Sequence, residues 1–343
     1  MYIEVSSEDL KAALGLVSKA NGKKGETFTC QCINIKAEAG FVELSATNGH
    51  VYATSKVRAH TAQEGEINVL GTILTNAVSK LDGSIVLQRD RQQLQLSSGR
   101  SKYKLAIHED AFPTVPEMGQ TLATFKGFAS IVQQTSFVAD DSIESKPEFG
   151  GVYFDGENAV ATNGSCLVMT PVRTSGTFFI PKTSLVLASK LGDDVEAVDC
   201  GGSWVAFKAP IGTIYTTQIN STFPNYKSLI VADQPIRLHI ERAELLQAID
   251  QASVVSSDLD AVVLETIDGE ATLKRGSGTD NYESVLRPTA IEGEGTARFS
   301  ASVLRGFLKS AHDEIDFGYN ADSRQAFIQS SGHSLIIMPI REG

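Results

Sequence analysis

The chain has 343 residues, 42% of them hydrophobic and 21% charged, with a net charge of −11 and four cysteines. Two or three domain cores fit that length, and the acidic balance argues against a surface coated in basic groups, while leaving room for a basic stripe on one face. The sequence has no run of 18 apolar residues and no basic stretch in its opening Met1-Tyr2-Ile3-Glu4, so neither a membrane span nor a secretory signal is expected, and a cytoplasmic location is.

Leu10, Ala13, Leu14 and Val17 follow helical spacing and predict a first helix, with Ser6 or Ser7 as its N-cap. Cys30 and Cys32 are expected on a strand, and all four cysteines as reduced core residues. Alternation at Phe41-Val42-Glu43-Leu44 reads as a strand, and Asn48-Gly49 as a tight turn between strands. A second helix is predicted over 71–81, a closing strand over 101–107, and a Pro-containing linker over 109–120.

The same order then returns. Phe128, Ile131, Val132 and Thr135 predict a helix, Gly151-Val152-Tyr153-Phe154 a strand, and Asn163-Gly164 a turn. A second helix follows over 182–191, a closing strand over 213–219, and a linker over 221–235. The third round has a helix on Leu245, Ala248, Ile249 and Ala252, a second helix over 301–311, and a closing strand over 334–339.

Identical letters tie the rounds together. Ala46-Thr47-Asn48-Gly49 recurs as Ala161-Thr162-Asn163-Gly164, 115 residues on. Ser79-Lys80-Leu81 recurs as Ser189-Lys190-Leu191, Phe112-Pro113 as Phe223-Pro224, and Arg91-Gln92 with Ser97-Ser98-Gly99 as Arg324-Gln325 with Ser330-Ser331-Gly332. A period of roughly 115 residues exceeds that of solenoids, so each copy is domain-sized. The expected fold class is α+β: three tandem copies of a two-helix, antiparallel-sheet domain over residues 1–120, 121–232 and 233–343.

At this point the chain resembles a known family, the bacterial-type sliding clamp, the beta subunit of DNA polymerase III. Ser98-Gly99-Arg100-Ser101-Lys102-Tyr103 leading to Phe112-Pro113 carries the resemblance, with Gly151-Val152-Tyr153-Phe154 leading to Ala161-Thr162-Asn163-Gly164. Ile180-Pro181-Lys182, Phe223-Pro224-Asn225-Tyr226-Lys227 and the terminal Ile336-Ile337-Met338-Pro339-Ile340-Arg341 complete it, in order and across nearly the whole chain.

The resemblance implies a head-to-tail homodimer in which six domains of the DNA clamp fold close into a ring. Helices would line the hole and strands the outer shell. Twelve helices spaced roughly 10 Å apart give a circumference of about 120 Å. Allowing for helix thickness, that leaves a hole of roughly 28 Å, wide enough for duplex DNA with a layer of water. Such a ring acts as a processivity factor: it encircles double-stranded DNA without reading its sequence and tethers the replicative polymerase, a clamp loader and other proteins bearing clamp-binding motifs. Weak phosphate attraction suffices for that.

Lys80, Lys190 and Lys309 fall at one register of the three second helices, and Lys24 matches a basic position of the family. These four are the expected DNA contacts, with Arg305, Lys11, Lys19 and Lys23 as lesser candidates; for any of them a solvated helix face is the plainer alternative. The partner-peptide groove implied by the resemblance comprises Phe149, Thr162, Gly164, Ser165, Leu167, Pro224, Leu229, Ile336, Met338, Pro339, Ile340 and Arg341. Taken singly, each apolar member reads equally as core. Tyr103 and Leu105 would meet Val254 and Val255 of a second copy at the dimer interface.

Three departures from the family pattern stand out. Ser165-Cys166 replaces His-Arg, Ser228 replaces a basic residue, and the chain ends Arg341-Glu342-Gly343. The groove is therefore expected to be less basic and to discriminate by apolar fit. The sequence contains no phosphate loop, His-Glu-x-x-His or nucleophile elbow, so no enzyme, cofactor or metal is expected. Asp140-Asp141, Asp193-Asp194 and His108-Glu109-Asp110 read as solvated acidic segments. The alternatives are a clamp-like structural protein without DNA loading, and a nucleotide-processing enzyme with a nonlocal site.

Overall fold

The computed structural model describes residues 1–140, 146–231, 234–255, 260–277, 280–320 and 325–340. Arg341, Asp141 and Arg324 of the sequence reading lie outside them.

Six α-helices occur in the described residues: α1 Ser7–Val17, α2 Gly71–Ser79, α3 Phe128–Ser136, α4 Lys182–Ala188, α5 Arg242–Ala252 and α6 Ala301–Leu308. They stand where the sequence reading expects them. The longest has 11 residues, too few to persist alone in water, so the apolar face carries them. α1 buries Leu10, Ala13, Leu14 and Val17, and α5 buries Leu245, Ala248, Ile249 and Ala252. Ser6 Oγ caps α1 by accepting the Glu8 N–H at 3.2 Å, and Ser300 Oγ caps α6 by accepting the Val303 N–H at 3.3 Å. The second helices stop short of the predicted ends. In α4 the last turn tightens to a 3-10 turn, Ser189–Leu191, and Gly192 at φ 108° closes it in the left-handed region.

The chain groups into two compact units, Met1–Phe128 with Val186–Gln218, and Ala129–Leu185 with Ile219–Gly343. The first holds a five-stranded sheet in the order His60–Gln63, Tyr2–Ser6, Ser84–Asp90, Gln93–Ser98, Ser101–Ala106. Its second sheet has eight strands, in the order Thr121–Phe125, Val195–Asp199, Trp204–Ala209, Gly212–Thr217, Val51–Arg58, Phe41–Thr47, Cys32–Glu38, Gly65–Leu70. The second unit holds a nine-stranded sheet: Phe178–Pro181, Gly151–Phe154, Asn158–Thr162, Cys166–Pro171, His333–Ile337, Ala326–Ser330, Glu314–Tyr319, Ile236–Glu241, Ala290–Glu292. Its four-stranded sheet runs Asp280–Leu286, Glu270–Ser277, Ala261–Ile267, Gly295–Ser300.

One pairing rule recurs in both units. Gly212–Thr217, closing the second repeat, pairs antiparallel with Val51–Arg58 of the first, Tyr215 opposite Tyr52. His333–Ile337, closing the third repeat, pairs antiparallel with Cys166–Pro171 of the second, Ile336 opposite Leu167. Among the described residues, the corresponding closing strand of the first repeat, Ser101–Ala106, is an edge, paired only with Gln93–Ser98. Asp280–Leu286, the corresponding hairpin strand of the third repeat, is likewise an edge there, paired only with Glu270–Ser277.

Cys32 lies on the expected strand, but Cys30 sits in the 3-10 turn Phe28–Gln31. Its carbonyl accepts the Gly22 N–H at 2.7 Å and its N–H donates to Thr27 O at 2.9 Å, which bends the chain out of an extended path. All four thiols are free, and burial pushes Cys32 and Cys166 up to about 11, so neither is a poised nucleophile.

The repeated Ala-Thr-Asn-Gly letters make one hydrogen-bonded turn twice. Asn48 Oδ1 accepts the His50 and Val51 N–H groups at 3.0 and 2.8 Å, while Thr47 Oγ1 accepts from Gly49 N at 3.0 Å and donates to Val51 O at 2.8 Å. Asn163 accepts from Ser165 and Cys166, both at 3.0 Å, and Thr162 accepts from Gly164 N at 3.1 Å and donates to Cys166 O at 2.7 Å. Gly49 and Gly164 have φ of 90° and 88°, where a Cβ costs about 1–2 kcal/mol. A Cβ at Gly49 meets open space, whereas one at Gly164 would lie 2.9 Å from Phe149 Cζ. In urea unfolding, Gly49→Ala should therefore cost about 1–2 kcal/mol and Gly164→Ala more; equal losses would mean that the Phe149 ring yields freely.

His333 is 1% exposed. Its ring stacks on Phe307 at 4.6 Å, and its Nδ1 lies 2.9 Å from Thr170 Oγ1. Burial lowers its pKa from 6.5 to about 4. As pH falls through that window the unfolded chain takes up a proton that the native ring refuses, so stability present at pH 7 is lost, by at most about 3 kcal/mol from this group. Urea midpoints followed from pH 7 to pH 4 should fall less steeply in His333→Phe than in the wild type. Identical slopes would mean that the ring is not desolvated.

Candidate functional site

Three lysines share one structural position. Lys80 is the C-cap of α2 and Lys309 the C-cap of α6, while Lys190 lies in the 3-10 turn that ends α4. All three are exposed, as is Lys24 beyond α1. The carbonyl end of a helix favours a cation, which explains locally why lysine recurs there. Among the described residues none of these four is ion-paired at its ammonium, so each charge stays available to an outside anion. Arg305 differs. Its Nε lies 2.7 Å from Asp250 Oδ1 on α5, and both side chains are half exposed. Lys11 is likewise engaged, by Asp82 at 2.8 Å.

The residues of the implied groove that fall in the described segments all belong to the second unit, but they play different parts. Leu167 and Ile336, each 3% exposed, pack with Val160, Tyr226 and Phe327, and with the partly buried Met169 and Phe223. They form a floor. Thr162 is buried and holds the turn, and the Phe149 ring lies over Gly164. Ser165 is exposed and ties the terminal stretch down, its carbonyl accepting the Met338 N–H at 2.9 Å. The Ile340 N–H then donates to Arg298 O at 2.8 Å. Pro339 and Ile340 are half-buried and Pro224 exposed. The apolar groups left in solvent are Met338 and Leu229, 41% and 40% exposed, with Ile230 and Val231 beside the latter.

Sequence reasoning missed the anchor beneath these groups. Phe223 stacks on Tyr153 at 5.0 Å, the Tyr226 hydroxyl donates to Asp155 Oδ2 at 2.7 Å, and Lys227 bridges Asp155 and Glu157 at 3.3 and 3.1 Å. Burial alone would raise the Asp155 pKa, but hydrogen bonds from Glu157 N, Tyr226 and Asn158 N outweigh it and hold the carboxyl below its usual range. The Phe-Pro-Asn-Tyr-Lys letters therefore clamp the connecting segment onto the hairpin beginning at Gly151. Of the three departures, Cys166 is buried, its thiol 3.3 Å from Asn163 Oδ1, while Ser165 and Ser228 stay at the surface.

At the expected dimer contact, Tyr103 is 36% exposed on the edge strand and Val254 is 87% exposed just after α5. Leu105, two residues on and so on the same face of the strand, is 8% exposed and stands opposite Leu94. Val255 is half-buried.

Among the described residues no three His, Cys, Asp or Glu side chains are arranged to hold a metal. His108 packs edge-on against Phe28 at 4.5 Å, and Glu109 is taken by Arg89 at 2.5 Å.

No family model matches the chain. Among curated proteins it is 24% identical, over 357 aligned positions, to a beta sliding clamp homolog, GriR, of Streptomyces muensis, covering 98% of this chain and 94% of the relative. It is also 24% identical to the beta sliding clamp of Rickettsia bellii, covering 99% of this chain and all of the relative. The crystal structure of the DNA polymerase sliding clamp from Bacillus subtilis superposes over the whole of both chains with a TM-score of 0.92 at 20% identity. The chain thus has the fold of the solved sliding clamps over its whole length, and its sequence is similar from end to end to proteins named beta sliding clamp.

Proposed function

We propose that this protein is a DNA sliding clamp, a non-catalytic ring that encircles duplex DNA and tethers the replicative polymerase and other replication factors. The observation that carries the proposal is the clamp fold over the whole chain, TM-score 0.92, joined to chain-long similarity to curated beta sliding clamps. In this reading residues 1–120, 121–232 and 233–343 are its three domains. Lys24, Lys80, Lys190 and Lys309 supply the weak phosphate attraction. Arg305, held by Asp250, contributes less. The exposed Met338 and Leu229 over the Leu167–Ile336 floor receive a short apolar peptide from the polymerase, the clamp loader or another clamp-binding-motif protein.

The two free edges support a head-to-tail dimer. Within the chain, each closing strand pairs with the hairpin strand of the preceding repeat. Applying that rule to Ser101–Ala106 leaves Asp280–Leu286 of a second copy as its partner, and two such joints complete a ring. The same register sets Tyr103 opposite Tyr282 and Lys102 opposite Glu283, with Val254 beside them.

Two measurements test this. Replacing Lys24, Lys80, Lys190 and Lys309 by Ala should lower retention on nicked circular DNA and polymerase processivity without unfolding the protein. Each lost phosphate contact should flatten the salt dependence by about one unit of log–log slope. Unchanged retention and slope would assign these lysines elsewhere. In sedimentation, Glu283→Lys should weaken the dimer at least about tenfold by facing Lys102 with a like charge, and Lys102→Glu in the same chain should restore it. A dimer indifferent to both changes would overturn this register.

A further inference from the structure

The first unit contains a cleft of about 540 Å³ whose lining includes Tyr52, Trp204, Val115, Pro116, Glu117 and Cys200. The repeat explains why it exists. Tyr52 holds the position of Leu167, Tyr215 that of Ile336 and Phe112-Pro113 that of Phe223-Pro224, with the same strand register. The difference lies in what fills the floor. Phe327 stands opposite Ile336, whereas Ala206 stands opposite Tyr215. By the same spacing, Val115 takes the place of Tyr226. The rings are redistributed: Tyr52 and Tyr215 stand where the second unit has Leu167 and Ile336, and the cleft lies beside Tyr52, Val115 and Trp204.

The cleft is preformed. Gly119 N–H donates to Asp199 O at 2.7 Å and Asp199 N–H to Gln120 O at 2.9 Å, pinning the segment that carries Val115–Glu117's wall. A Cβ at Gly119 would lie 2.8 Å from Asp199 O, so the close approach depends on glycine. Tyr52 is held edge-on by Phe112 at 5.8 Å and Tyr215 at 6.1 Å.

Its charge is one-sided. Glu117 is the only charged residue among those lining it. Asp199 adjoins it, accepting the Gly201 N–H at 3.0 Å. Aromatic faces beside the Glu117 and Asp199 carboxylates favour a cation set beside apolar surface.

We propose that this cleft is a second docking site, one that takes an extended peptide segment carrying a lysine or arginine flanked by apolar side chains. The site is independent of the DNA-tethering role, so either reading can fail alone.

Trp204 is the only tryptophan in the chain, and its emission therefore reports this cleft directly. The probes are acetyl-Leu-Lys-Leu-Phe-amide and the same peptide with Glu for Lys, titrated into the full-length protein. The lysine peptide should shift Trp204 emission to saturation with a Kd on the order of 10–100 μM, and the glutamate peptide should not. Glu117→Lys, at an exposed position, should weaken the lysine peptide about threefold and admit the glutamate peptide. Met338→Asp, which alters the second unit's surface, should leave the response intact. No emission change up to about 1 mM peptide, equal binding of both peptides, indifference to Glu117→Lys, or loss of the response in Met338→Asp would each overturn the proposal.

Discussion

A strand's backbone N–H and C=O groups need partners, and in this chain that need is met across repeats rather than within them. A closing strand such as Gly212–Thr217 cannot complete its ladder from its own repeat. It takes the hairpin strand Val51–Arg58 of the repeat before it, and His333–Ile337 does the same with Cys166–Pro171. Three repeats supply two such joints and leave one donor strand and one acceptor strand over. The edges Ser101–Ala106 and Asp280–Leu286 are therefore a consequence of the repeat, and the proposed ring is the arrangement that removes them.

The same joints make the candidate binding surfaces. Where a closing strand meets a hairpin strand, the Asn-Gly turn, the Phe-Pro segment and the sheet floor converge. In the second unit that floor is filled by Tyr226 and Phe327, and the exposed groups rise above it as Met338 and Leu229. In the first unit the floor carries Tyr52 and Tyr215 instead, and a cleft lies beside Tyr52, Val115 and Trp204. One supersecondary design thus yields two surfaces of different depth and charge through a few side-chain volumes. The helix ends follow a similar economy: lysine at a C-terminus suits the helix dipole, and the same lysine, left unpaired, remains available to phosphate.

Much of this was legible from the letters. Helical spacing gave the first helix of each repeat because each buries one stripe, and period 3.6 is a local signal. Ala-Thr-Asn-Gly predicted its turn because the Asn and Thr side chains satisfy that turn's own backbone. The register of Lys80, Lys190 and Lys309 followed from counting along the chain, each lying ten residues after Leu70, Ile180 and Phe299. Cys30 was misplaced because its bend is imposed by Gly22 from outside the strand.

The sequence by itself therefore determined the repeat, the elements, the polarity of each helix and the resemblance to a clamp, since these rest on neighbours within a few residues or on order along the chain. Tertiary structure alone decided which strands pair across repeats, that Leu167 and Ile336 are floor while Met338 is surface, and that Arg305 is held by Asp250. It also decided that Tyr226 closes on Asp155, and that Tyr52, Val115 and Trp204 line one cleft. Each of these depends on groups far apart in sequence meeting at a distance of a few ångströms, and only the folded backbone sets that distance.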